Sequence, residues 1–192
     1  MLAELQTSAK QILLGNAMLI LCCAFYLAWW LVAFRPDNPI KGFKSGWLLI
    51  PAVIFGLLAL IEILRGNNCV NKAEKVIDGS QIVLFGAAVY VALLLVTSLL
   101  LKRQVTTELF LIVGWAVVTL LELNSFFALN CLSKTAVIVF AVITLIFAAA
   151  SMVCYLLYYK LDGLKGCADG AVPLMLVVIM TAAVSLTVIL KN

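Results

Sequence analysis

Six apolar runs, each about long enough to cross a bilayer, follow one another along a chain of 192 residues with little between them. They cover about 12–34, 46–64, 81–101, 108–129, 135–159 and 171–190. A hydrocarbon core of about 30 Å takes about 20 apolar residues as a helix. Backbone polar groups in lipid find no water, so a spanning segment bonds within itself as a helix or closes into a barrel. Barrel strands read as short alternating segments, and these runs are continuously apolar. The expectation is an all-α integral membrane protein of six transmembrane helices, with 1–192 as a single transmembrane domain. Composition agrees: 66% of residues are hydrophobic, 11% are charged and mean hydropathy is +1.20. Soluble domains carry about 25% charged residues. The first run is too long, and lacks the small-residue cleavage site, for a secretory signal peptide. The eleven residues before it, "MLAELQTSAKQ", read as a short interfacial helix.

A formal charge of +4 without any basic block offers nothing to nucleic acid. The lysines and arginines sit at run ends and in loops, as expected beside a lipid bilayer. One side collects Arg35, Lys41, Lys44, Lys102, Arg103, Lys160 and Lys165, and the other Lys10, Arg65, Lys72, Lys75, Lys134 and Lys191. Seven against six sets no orientation by the positive-inside rule. An even number of spans puts both termini on the same side.

There are six cysteines and no histidine. The usual zinc and haem ligand sets, and nucleophile–His triads, are therefore missing, so no metal or cofactor is expected and an intramembrane enzyme is the weakest reading. Cys22, Cys23 and Cys154 lie within apolar runs and read as small packing residues. Cys69 and Cys131 fall in loops on the same side, where a disulfide is conceivable if that side is oxidising.

Two stretches resemble each other: "ALIEILRGNNCVNKAEKVI" (59–77) and "TLLELNSFFALNCLSKTAVIV" (119–139). Each has a Glu flanked by aliphatic residues, followed by Asn-Cys-x-[Asn/Ser]-Lys. The expectation is a pseudo-repeat of helical hairpins, runs 2–3 and 4–5, with runs 6 and 1 as a degraded third copy. Pro51 and Pro173 are each placed near a helix start, where a missing N–H costs least. Three hairpins in a ring match one known transporter plan, and a cyclic homo-oligomer is expected.

The two glutamates are the strongest chemical signal. Glu62 lies near the end of its run, where it can pair with Arg65 at i+3 or snorkel to the interface. Glu122 lies well inside the fourth run, where a charge costs about 2.5–3.5 kcal/mol. It is expected to be protonated, bonded to Asn124, Ser125 or a neighbouring helix, or facing water. Together Glu62, Glu122 and Asn124 form a candidate proton-linked or polar vestibule. The few other polar residues inside spans are Thr97, Ser98, Thr119, Thr144, Ser151, Thr181, Ser185 and Thr187. So sparse a lining suits a small permeant that is neutral or can become so. Tyr158 and Tyr159 read as interfacial belt. Tyr26 and Trp29, nearer the middle of the first run, are candidate pore-lining residues together with Thr119.

"EILRGN" (62–67), "LFGAAVY" (84–90), "GWAVVTL" (114–120) and "ITLIFAAA" (143–150) resemble segments of the succinate–acetate permease family. More distantly, "LFGAAVY" is similar to the small urea and amide channels. The likeness spans about 47–150, and the family's Asn-Pro-rich opening before the first helix is absent. The resemblance implies six helices, a hexameric ring, small monocarboxylates as solutes, and a helix-end turn at Arg65, Gly66 and Asn67.

Two functions remain open. One is a membrane channel or transporter for a small weak acid or neutral solute, acetate-like monocarboxylates foremost, in a bacterial inner (plasma) membrane. The other is a non-transporting multi-span protein with two-helix repeats, serving stress response, assembly or scaffolding.

Overall fold

The computed structural model describes residues 2–34, 45–68, 76, 78–101, 107–158 and 160–191. Cys69, Tyr159 and the loop basic residues Arg35, Lys41, Lys44, Lys72, Lys75, Lys102 and Arg103 lie outside them. Six helices follow in order: α1 (Leu2–Phe34), α2 (Leu49–Asn68), α3 (Gly79–Leu101), α4 (Thr107–Ala128), α5 (Lys134–Tyr158) and α6 (Gly163–Lys191). A single 3-10 turn, Ser45–Leu48, leads into α2. All six helices are long and apolar enough to cross a membrane, and no strand occurs among the described residues.

Three boundaries differ from the sequence reading. α1 takes in residues 2–11 as unbroken helix, where a separate interfacial helix was expected. α2 runs through Arg65, Gly66 and Asn67 to Asn68, so these residues form its last helical turn rather than a turn that leaves it. α6 opens at Gly163, so Pro173 lies well inside the helix and not at its start. A proline there removes one backbone hydrogen bond and crowds the preceding turn. Pro51, by contrast, is in the first turn of α2.

Helix ends are fixed by local chemistry. Asn130 takes the left-handed conformation, φ 58°, and Cys131 N–H donates to Phe126 O at 2.8 Å, closing α4. Three residues on, Ser133 Oγ accepts from Ala136 N–H at 3.2 Å and caps α5. Asp78 caps α3 in the same way, with Ser80 N–H donating to its Oδ1 at 3.1 Å.

The most extensive contact joins α1 to α2. α2 also packs on α4, α4 on α6, and α6 on α1, so these four helices close a circuit. α5 packs on α4 and α6, and α3 leans on α4 from outside. α4 and α5 pair closely, whereas α2 and α3 each pack on α4 rather than extensively on each other. The tightest seam is antiparallel α1–α2. A Cβ added at Gly15 would lie 3.0 Å from Ala59 O, and one at Gly66 would lie 2.9 Å from Ser8 O. Small residues thus let two backbones meet, as is common between helices in apolar surroundings. Ile12, Leu123, Phe126, Met180, Val184 and Val188 form the buried core, together with Leu132 and Val137 after the α4–α5 turn. That core therefore sits towards the end of the bundle where α1 begins and α4 and α6 finish.

Gly15→Val should weaken the α1–α2 seam, because the obstruction is backbone and cannot swing away. The expected loss is about 1–3 kcal/mol, read as an earlier midpoint on detergent denaturation. Gly114→Ala, which meets nothing within 4 Å, should not lower it.

Candidate functional site

Glu122 faces the interior of the bundle, 4% exposed. Asn16, fully buried on α1, lies beside its carboxyl. The Asn16 amide N–H donates to Ser185 Oγ on α6 at 3.2 Å. One primary amide has two N–H groups, so one remains for the carboxyl. The amide oxygen, Asn16 Oδ1, is buried with no partner. A carboxyl that gains a proton becomes a donor, and an amide oxygen is an acceptor. The cluster Asn16–Glu122–Ser185 therefore holds both donor and acceptor groups next to the acid. It joins three helices of the circuit at one point.

Towards the opposite end of α4 lies a chamber of about 410 Å³. Seven aromatic side chains line it: Tyr26, Trp29, Trp30 and Phe34 from α1, Trp115 from α4, and Tyr155 and Tyr158 from α5. α6 contributes Gly170, Pro173, Leu174 and Val177 to the wall, and Ser151 adds a hydroxyl. The Trp30 ring lies directly on Gly170, where any Cβ would collide with it. Its N–H donates to Cys167 O at 2.9 Å, and it stacks on Phe34 with centroids 4.3 Å apart. Trp29 meets Phe34 edge-on at 5.5 Å and Tyr26 at 5.1 Å. Trp115 Nε1 is buried on this wall with no partner.

Helical periodicity links chamber and carboxyl. Trp115, Thr119 and Glu122 recur at i, i+4 and i+7 and so share one face of α4. Val177, Thr181 and Ser185 follow a similar spacing on α6. Thr119 and Thr181 are each 5% exposed, one turn beyond the chamber wall.

A second cavity, about 700 Å³, lies in the cleft where α2 and α3 stand apart over α4. Its walls include Asn67, Asp78, Ser80, Asn124 and Ser125.

The structure thus divides the residues expected to act together. Tyr26 and Trp29 are on the chamber wall, and Thr119 lies behind it. Glu122 points inward, while Asn124 lines the outer cleft. Residues two apart on a helix face nearly opposite ways, so these two do not share a vestibule. Glu62 lines neither cavity; its carboxylate pairs with Arg65 at 2.9 Å on the same helix. Gly66 serves the α1–α2 seam, and Asn67 borders the cleft with its Oδ1 buried and unpartnered. Cys131 is buried, its Sγ 3.7 Å from Leu129 O, while Cys69 is outside the described residues. Among the described residues no cluster of His, Cys, Asp and Glu suits a metal.

The key residue missing from the sequence reading is Asn16. Its signal was present: an asparagine inside "LLGNAML", in an otherwise apolar run. Trp30 and Trp115 were also missed, since apolar aromatic residues inside runs look alike until the helices are arranged.

No family model matches the chain, no curated protein matches it, and no solved structure matches it.

Asn16→Leu should destabilise the bundle by about 1–3 kcal/mol, because it strands a buried carboxyl and a hydroxyl. Adding Glu122→Leu should return part of that loss, giving a non-additive double-mutant cycle. Midpoints of detergent denaturation for the four proteins test this; simple additivity would mean that Asn16 and Glu122 do not support each other.

Proposed function

We propose that the chain is a six-span integral membrane protein that carries a small weak acid or uncharged solute across the bilayer, with Glu122 as the proton-linked group. One observation carries the reading: an aromatic chamber about two helical turns along α4 from a buried carboxyl that lies beside a buried amide. A lone carboxyl within a transmembrane helix is costly and marks proton or substrate pathways more often than packing. The chamber supplies a place for solute, and Thr119 and Thr181 supply hydroxyls on the way inward. The likeness of "EILRGN" and "LFGAAVY" to succinate–acetate permeases favours acetate-like monocarboxylates.

Beyond Glu122 the bundle is shut by Ile12, Leu123, Phe126, Val184 and Val188, each no more than 1% exposed. Passage then requires that packing to open, which suits a carrier that alternates rather than a standing pore. The same packing favours the rival reading, a non-transporting component of assembly or stress response. Homo-oligomerisation and a bacterial plasma-membrane location belong to the proposal, as does descent of the Glu62 and Glu122 hairpins from one duplicated unit whose copies now pack differently.

Purified protein in liposomes should take up acetate or a similar solute faster than empty liposomes, and faster with an imposed pH gradient. Glu122→Gln, which keeps the shape and removes the proton exchange, should abolish the gradient dependence. Uptake equal to empty liposomes across acetate, formate, urea and acetamide would leave the non-transporting reading.

A further inference from the structure

We propose that the cleft between α2 and α3 holds one phospholipid of the bilayer, with a zwitterionic head group whose ammonium faces Asp78. The site is a different cavity from the aromatic chamber. The proposal goes beyond the transport reading and needs only that the six helices lie in a bilayer.

All three helices around the cleft are graded in the same direction. α2 places Asn67 in its last turn and Leu64 about one turn further in. α4 places Asn124 near its end and Leu121 about one turn further in. Asp78 stands just before α3 and Ser80 in its first turn, followed by Val83 and Ala87. At 1.5 Å per residue, Ala87 is about 10 Å deeper than Ser80. Polar side chains therefore gather at one end of the bundle and apolar ones line the inner reach, in the order of head group and hydrocarbon across half a bilayer. The cleft also opens sideways. α3 packs chiefly on α4, and Leu64 and Val83 remain exposed. A lipid chain can lie between α2 and α3 and continue into the surrounding bilayer, whereas a water-soluble solute would leave the apolar half unused.

Charge selects the head group. Asp78 is the only charged side chain among the described wall residues, and it is exposed. Its oxygens accept from Ser80 N–H at 3.1 Å and from Ser80 Oγ–H at 2.7 Å. An ionised carboxylate has about four lone-pair sites, so these two bonds leave room for an ammonium. Asn67, half-buried across the cleft on α2, carries an amide, a donor suited to a phosphate oxygen. One carboxylate and an amide, with no Lys or Arg in the described wall, match a head group whose two charges cancel. An anionic lipid would bring its phosphate to the carboxylate with nothing to offset it. A primary ammonium, as in phosphatidylethanolamine, adds charge-assisted N–H bonds to Asp78.

Native mass spectrometry of the purified full-length protein in detergent, titrated with phosphatidylethanolamine or phosphatidylglycerol of identical chains, tests the idea. Phosphatidylethanolamine should form a saturable one-to-one complex, about 3- to 10-fold tighter than phosphatidylglycerol, the worth of one hydrogen bond. Asp78→Asn keeps a helix-capping side chain and removes the charge. It should bring the two lipids within about twofold of each other, since the charged contact is gone. Ala87→Trp, which fills the inner reach and leaves Asp78 in place, should abolish phosphatidylethanolamine binding. The proposal is overturned by absent saturable binding, by phosphatidylglycerol binding as tightly or more tightly, by a preference that survives in Asp78→Asn, or by unchanged binding in Ala87→Trp. Glycerophosphoethanolamine, which has the head group and no chains, should not compete. Displacement of the lipid by an equal concentration of it would make the occupant a soluble amine and overturn the proposal as well.

Discussion

A carboxyl removed from water must be received by other groups, and in this bundle the reception is made by Asn16. Its side chain donates to the Ser185 hydroxyl and lies beside the Glu122 carboxyl. Remove that amide and two helices lose their shared polar contact with α1. Apolar packing cannot replace it, because surfaces that are hydrophobic all round carry little information about rotation or register. Leu and Val fit many neighbours about equally well, whereas a buried carboxyl fits very few. A polar contact between transmembrane helices is worth only about 0.6–2 kcal/mol, so its importance here lies in register more than in strength.

The rotation of α1 that permits this contact is set next door. Gly15, one residue before Asn16, faces α2 so closely that its missing Cβ is a requirement. Adjacent helical residues point about 100° apart. Seating Gly15 against Ala59 and Ile63 therefore turns Asn16 away from α2. A glycine and an asparagine in sequence thus divide one helix into a packing edge and a polar edge. Further along α1, Tyr26, Trp29 and Trp30 continue into the aromatic chamber, so a single helix contributes to the seam, the polar cluster and the cavity.

Much of the secondary structure was legible because hydropathy acts locally. All six runs recur as helices, with ends within a few residues for α3, α4 and α5. The ends of α1, α2 and α6 lay further out, because polar residues such as Glu4, Asn67 and Asp169 remain helical outside the most apolar stretch. The unusual standing of Glu122 was also legible, since the cost of the charge depends only on its being inside a run. Its partner was not. Asn16 is 106 positions away in sequence by subtraction of the two numbers, and nothing in an apolar run states which helix it meets. The grouping of Glu62 with Glu122 failed for a related reason. Similar motifs suggested similar surroundings, but α2 turns Glu62 to Arg65 while α4 turns Glu122 to the centre. Asn124 was grouped by nearness in sequence, and helical geometry places it on the far side.

The two ends of the bundle are held in physically different ways. At one end lie the buried aliphatic core, the left-handed stop at Asn130, the Ser133 cap, and the Lys191 ammonium donating to Asn130 O at 3.3 Å. At the other, α1 meets α5 and α6 through ring contacts, notably Trp30 on Tyr158 at 5.4 Å, and through the Trp30 N–H donating to the Cys167 carbonyl. Between them α6 carries Pro173, where a ladder hydrogen bond is missing. Local opening begins where buried contacts are fewest, so the chamber end is the one the fold leaves free to breathe. Glu122 thus lies between two unlike surroundings, aromatic rings on one side and close-packed aliphatic side chains on the other.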